Sequence, residues 1–233
     1  MAEIRIKPTT LGFLRDLKKY NDRPWFNEHK DKYLEAHQNM IGFTDSLIAE
    51  MSKHDRLVPM TGKKSLFRIY RDVRFSKDKL PYKTNFAGGL KRAGRHRRGG
   101  YYFHIEPSGS FAGGGFWGPS TDDLKHIRKQ IAAEPKRLRK IINSARFKKE
   151  FGELHGEQLK SAPQGFAKDH PDIDLLRYKQ FLISRRYTAK QVTDPGFLKM
   201  LVHTFKEMRP FFDYMSEILS TDLNGTPLFE FED

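Results

Sequence analysis

The side chains best able to do chemistry in this sequence fall between positions 68 and 104. In the run FRIYRDVRFSKDKLPYKT, residues 67–84, the apolar Phe67, Ile69, Val73 and Phe75 alternate with Arg68, Tyr70, Asp72, Arg74 and Ser76. A period of two predicts a strand with one buried face, with Arg71 the exception on the apolar side. The other face would carry two guanidinium groups with a carboxylate between them, followed by a lysine-rich turn closed at Pro81. Such a row attracts anions, because guanidinium and ammonium groups form charge-assisted hydrogen bonds to phosphate and carboxylate. The ligand-binding candidates are therefore Arg68, Arg74, Ser76, Lys79 and Lys83. Asp72 would orient the arginines, and His104 or His170 would move a proton, which makes Asp72, His104 and His170 the catalytic candidates. The plainer use of the same residues is an Asp72–arginine pair that only stitches strands together.

The charge of the chain is local. The net charge is +14, and residues 63–98 alone hold 13 Lys/Arg against Asp72 and Asp78, while the rest carries 30 basic against 27 acidic residues. A concentrated basic segment on a nearly neutral body points to a local anionic partner. Within it, KRAGRHRRGG (91–100) combines glycines with Arg92, Arg95, Arg97, Arg98 and His96, and is expected to be a mobile basic loop that packs against nothing apolar. This gives a second function class, a nucleic-acid-binding module in which Arg92, Arg95, Arg97 and Arg98, with the basic segment 136–149, neutralise phosphates. The small anionic ligand is preferred, since alternating Arg/Asp/Arg suits a defined pocket whereas nonspecific nucleic-acid binding needs only charge.

Other chemistries are excluded or unsupported. The chain has no cysteine, which removes disulfides, zinc–thiolate sites and thiol nucleophiles. The cluster Asp169-His170-Pro171-Asp172 matches no metal-ligand spacing and reads as a helix start capped by Asp169, so no metal is expected. Gly113, Gly114 and Gly115 match neither a P-loop nor a dinucleotide fingerprint, and the sequence leaves any cofactor unknown. No apolar run approaches the roughly 18 residues of a membrane span, and MAEIRIKPTT lacks a signal-peptide core. A cytoplasmic protein without membrane association is expected.

The elements that would hold these residues are readable from periodicity. Thr10 is placed as the cap of a short helix carrying Leu11, Leu14 and Leu17. Pro24 opens a second helix of about 30 residues, roughly 45 Å long, with Phe26, Tyr33, Met40, Phe43, Leu47 and Met51 on one stripe. Trp25 and Phe26 at its start either pack in the core or stack on a base. A strand over 83–90 precedes the basic loop. Residues 101–106 and 111–117 then form a hairpin around Pro107-Ser108-Gly109-Ser110, with the glycine run marking a bulge or a close approach. Ser120 caps a helix through Leu124, Ile127 and Ile131, and Pro135 restarts one. Phe181 and Ile183 alternate as a strand, and Asp194-Pro195 begin a long helix bent at Pro210.

Several of these stretches together resemble a known family. Trp25-Phe26 with Lys30 and Tyr33, the run 71–79 with Pro81-Tyr82-Lys83, Tyr102-Phe103-His104-Ile105, Gly113-Gly114-Gly115 with Trp117 and Pro119, and Leu159-Lys160 with Pro163, Gly165-Phe166 and Asp169-His170-Pro171 are similar to the family catalogued as domain of unknown function 2461. The resemblance spans most of the chain in order, implies one conserved-hypothetical domain and transfers no activity. The arginine-rich loop 91–100 is the stretch least typical of it.

The expected fold is α+β, a single domain over 1–233 in which an antiparallel sheet is packed on one face by long N- and C-terminal helices. Its exposed face would carry Arg68, Asp72, Arg74, Tyr102 and His104. Lys79 and Lys83 would lie at the rim, and His170 or Lys179 would complete it.

Overall fold

The computed structural model describes residues 5–94 and 97–228. Among them the chain forms, in order, α1 (Pro8–Lys19), α2 (Arg23–Glu28), α3 (Lys30–Ser52), α4 (Gly62–Ser65), β1 (Phe86–Lys91), β2 (Gly100–Ile105), β3 (Ser110–Phe116), α5 (Thr121–Ala133), α6 (Pro135–Ile142), α7 (Ala145–Phe151), α8 (Ile173–Leu176), β4 (Phe181–Tyr187), α9 (Ala189–Val192) and α10 (Phe197–Ile218). The strands make one antiparallel sheet in the order β1-β2-β3-β4, and the fold class is α+β. No helix among the described residues is long and apolar enough to cross a membrane.

The residues group into two compact units. The first comprises the chain as far as Lys91, Tyr101–Ala112 and Arg185–Phe205; the second comprises Arg92–Gly100, Gly113–Ser184 and the chain from Lys206 onward.

In the first unit the apolar stripe of α3, Met40, Phe43, Leu47 and Met51, is fully buried. Phe43 stacks on Phe197 at the start of α10, and Tyr101 of β2 meets Phe205 of the same helix. Alternate residues of β2, Tyr101, Phe103 and Ile105, supply the sheet's contribution to this core. Burying each such aromatic ring contributes about 2–3 kcal/mol. The Tyr101 hydroxyl stays hydrogen-bonded by donating to Asp55 at 2.6 Å.

Two local expectations are corrected here. The single helix expected after Pro24 is two, because the backbone leaves the helical region at His29, whose ring stacks on Trp25 at 4.3 Å. Asp22 caps α2 by accepting from the Trp25 N–H at 2.8 Å. Thr10 lies within α1 rather than at its cap, and its hydroxyl donates to Asn39.

The largest correction concerns residues 67–76, which form no regular strand. Among the described residues it is paired by isolated bridges, Leu66 with Gly88 just before the segment and Tyr70 with Tyr82 within it. Of its expected buried face only Ile69 is in the core, while Phe67 is 51% exposed and Phe75 97% exposed. Beyond Tyr70 the chain turns away into a loop closed by the Arg71 N–H donating to the Pro81 carbonyl at 2.9 Å. Period-two alternation needs a partner strand on each residue to become a ladder, and past Tyr70 no bridge is formed among the described residues.

In the second unit Ser120 caps α5 by accepting from the Asp123 N–H, with Ile127 and Ile131 buried. Gly115 has φ +129°, and a Cβ there would stand 2.1 Å from the Phe181 carbonyl oxygen, so the glycine run serves the close approach of β4. The latter half of α10 packs Phe211 edge-on to Phe116 of β3. Asp169 does not cap a helix: α8 begins after Asp172, whose N–H donates to His170 Nδ1 at 3.1 Å.

Candidate functional site

The first unit gathers its polar residues on the face of the sheet opposite the core. Along β2 the side chains between the core positions are Tyr102 and His104, both half-buried. The Tyr102 hydroxyl and His104 Nδ1 are 3.2 Å apart, and His104 Nε2 lies 3.7 Å from Glu106. Phe111 of β3 stacks on the His104 ring at 5.0 Å and touches Tyr102 at 5.5 Å, so the imidazole is fixed from the side as well as from both ends. Burial pushes His104 below its ordinary value, with Glu106 pulling the other way. Burial raises the Tyr102 phenol.

Phe67 joins this row to the basic segment. Its N–H donates to the Ala87 carbonyl at 2.8 Å alongside β1, and its ring lies 6.2 Å from that of Tyr102. Lys83 Nζ stands over the same ring, 5.9 Å from its centroid. The backbone under Lys83 is pinned, since its N–H donates to the Ile69 carbonyl at 2.7 Å next to the Tyr70–Tyr82 bridge. Tyr82 is in turn held by Asn21, which bonds its N–H and its carbonyl together. Lys83 is pushed below the ordinary lysine value, first by burial and then by the Arg68 guanidinium. Among the described residues neither Arg68 nor Lys83 has a carboxylate within 4.0 Å.

The loop 71–81 is different, because its charges are matched internally. Arg74 grips Asp72 with two parallel bonds, Nε to Oδ1 at 3.0 Å and Nη2 to Oδ2 at 2.7 Å, on an open surface. That grip, with Arg68 also nearby, holds Asp72 below the usual carboxylate range. Arg71 pairs with Asp78 at 2.5 Å, and Lys79 donates to the Val73 carbonyl at 3.0 Å. Lys79 also lines a depression of about 520 Å³ with Asp22, Arg23 and Asp78, where both signs of charge meet. Ser76 closes a turn through its N–H to the Val73 carbonyl.

The chain belongs to the family described as conserved hypothetical protein (DUF2461), whose model matches residues 9–214. The matched span contains Arg68, Lys83, Tyr102, His104 and the whole loop 71–81. No curated protein and no solved structure matches the chain.

The remaining described candidates lie in the second unit, most of them with partners of their own. His170 accepts from the Asp172 N–H and meets the Phe166 ring edge-on. Lys179 pairs with Glu157 at 2.6 Å. Arg92, expected in a loop that packs against nothing apolar, is buried: its side chain is 1% exposed, paired with Asp213 and set over the Phe212 ring. The Arg98 N–H donates to Ser216 at 2.8 Å, and its guanidinium stands 3.9 Å from Asp123. Arg97 is exposed, and Arg95 lies outside the described residues. Among those described, no group of three or more His, Asp or Glu side chains could hold a metal ion.

Glu106 and Phe111 were missed in the sequence. Glu106 was within reach of a period-two count from Tyr102 and His104. Phe111 was not, since its register against β2 depends on the hairpin turn.

Proposed function

We propose that the first unit binds a small phosphorylated or carboxylated ligand, with Arg68 and Lys83 as the cations that hold it and Tyr102 and His104 beside them. One observation carries the reading: Lys83 is partly stripped of water and disfavoured by the nearby Arg68 guanidinium, and among the described residues neither cation has an ion pair, Asp72 near Arg68 being held by Arg74. An anion between them removes both penalties and gains charge-assisted hydrogen bonds. Arg71 and Arg74 give weaker support to a ligand role, since a ligand would first have to displace Asp78 or Asp72. His104, held between the Tyr102 hydroxyl and Glu106, is the group on this face suited to exchange a proton with what binds there.

Thermal unfolding with phosphate, pyrophosphate, nucleotides and dicarboxylates tests the reading. An anion at a hundred times its Kd stabilises the folded chain by about 2.7 kcal/mol. That stabilisation should disappear in Arg68→Met and Lys83→Met and persist in Arg74→Ala. A wild-type chain whose unfolding temperature no anion raises would sink the proposal.

A further inference from the structure

We infer that the ligand of the first unit is a single-stranded nucleic acid, its bases stacking on Phe67, Tyr70 and Phe75 and its phosphates lying on the cations set among those rings. This rests on the anion-binding reading, names its anion as the phosphate of a nucleotide chain, and extends the contact from Arg68 and Lys83 onto the loop 71–81.

The observation behind it is three aromatic rings left in water on one short segment. Phe67, Tyr70 and Phe75 are 51%, 50% and 97% exposed, whereas Phe26, Phe43, Phe86 and Phe103 of the same unit are buried. The exposure of Phe75 is built into its loop. That loop is closed by the Arg71 N–H on the Pro81 carbonyl, by the Arg71 side chain on Asp78, and by the Lys79 ammonium on the Val73 carbonyl. These bonds fix both arms, and none of them draws the ring inward. Tyr70 turns one side to Phe26 and Tyr82 and leaves the other to solvent. Large apolar side chains grouped in this way on a surface mark a contact.

Charge and ring placement name the partner. Each ring adjoins an arginine in the chain, as Phe67-Arg68, Tyr70-Arg71 and Arg74-Phe75, and the exposed Lys77 follows at the tip. Two of the rings already carry a cation over one face. Lys83 Nζ stands 5.9 Å from the Phe67 centroid, and the Arg74 guanidinium stands 5.9 Å from that of Phe75. A ring so placed offers its exposed surface to a base while the charge beside it meets a phosphate. The loop 71–81 holds four Lys/Arg against Asp72 and Asp78, which attracts an anionic chain along its length. Stacking of this kind needs bases splayed out of a duplex, so it selects a single strand. A bilayer fits less well, because an interfacial anchor keeps its cations apart from its apolar side, and here Arg74 lies on the ring at the tip.

Fluorescence anisotropy of a labelled oligothymidylate of about twelve nucleotides, within the usual range of site sizes, tests the inference on the purified chain. The wild type should bind, and its affinity should fall as salt rises. Phe75→Ala should weaken binding about tenfold. Phe75→Leu should weaken it nearly as much, since leucine is apolar but has no flat face for a base, and Phe75→Trp should match the wild type. With the ring in open water, none of the three should shift the unfolding temperature or the stabilisation by inorganic phosphate. Annealing the complementary strand should reduce binding. A Phe75→Leu variant that binds like the wild type, or a duplex bound as tightly as the single strand, would overturn the inference. So would phosphatidylserine vesicles that bind through Phe75 when the oligonucleotide does not. An oligonucleotide that fails to bind a chain which phosphate still stabilises would overturn it and leave anion binding standing. Failure of both ligands would remove both readings.

Discussion

Several arginines of the second unit and the cations Arg68 and Lys83 of the first are used in opposite ways. In the second unit Arg139 sits between Asp172 and Asp174, at 2.7 Å from each. Arg137 clasps Glu217 with two bonds while lying over the Tyr214 ring, and Arg92 is buried on Asp213. In the first unit Arg71 and Arg74 follow the same rule, but Arg68 and Lys83, a few residues away, do not. Density of positive charge therefore does not mark a site in this protein. The proposed site is set apart instead by two neighbouring cations without an ion pair among the described residues, one of them partly buried.

The contrast predicts opposite signs of mutational effect. Arg92→Ala should cost the most, about 3 kcal/mol, because it empties a buried position and strands Asp213. Urea unfolding measures it, and a loss under about 1 kcal/mol would break the comparison at its strongest point. Lys83→Met should go the other way, leaving stability unchanged or raising it by up to about 1 kcal/mol after allowance for solvent screening. A methionine keeps the stem against Phe67 and removes a charge that burial and Arg68 both disfavour. A marked destabilisation in Lys83→Met would mean that the ammonium has a structural role.

The smallest effect concerns His104. Burial holds it below the ordinary imidazole value of 6.5 despite Glu106. Its contribution to stability is therefore complete above that value, where the imidazole is neutral in both states. It is lost as pH falls toward the folded value, because the unfolded chain takes up the proton first. Urea midpoints between pH 8 and pH 5 should show this decline in the wild type and a shallower one in His104→Gln. Glu106→Gln should steepen it by removing the carboxylate that supports the protonated ring. Equal slopes in all three would take His104 out of the proton-exchange role.

Much of the framework was legible in the order of residues. The stripe Met40, Phe43, Leu47 and Met51, the prolines that open α2 and α6, the Ser120 cap and the hairpin of β2 and β3 all depend on interactions within a few positions, and each formed where its local pattern placed it. The row of Tyr102 and His104 was legible for the same reason, since a strand alternates whatever lies beyond it.

What the residue order left open was decided by groups far apart in the chain. The alternation of 67–76 became a loop because among the described residues no bridge continues past Tyr70 and because Arg71 finds Asp78 across it. Arg92 was indistinguishable in type from Arg97 and Arg98, yet it alone is buried, on a carboxylate 121 positions away. Arg68, Arg74 and Lys83 look alike in a string of letters, and the tertiary structure divides them by giving Arg74 an ion pair with Asp72 and leaving the other two without one among the described residues. Periodicity and capping are local and survive in one dimension. The matching of charges, and the water taken from those left unmatched, is settled only when distant segments meet.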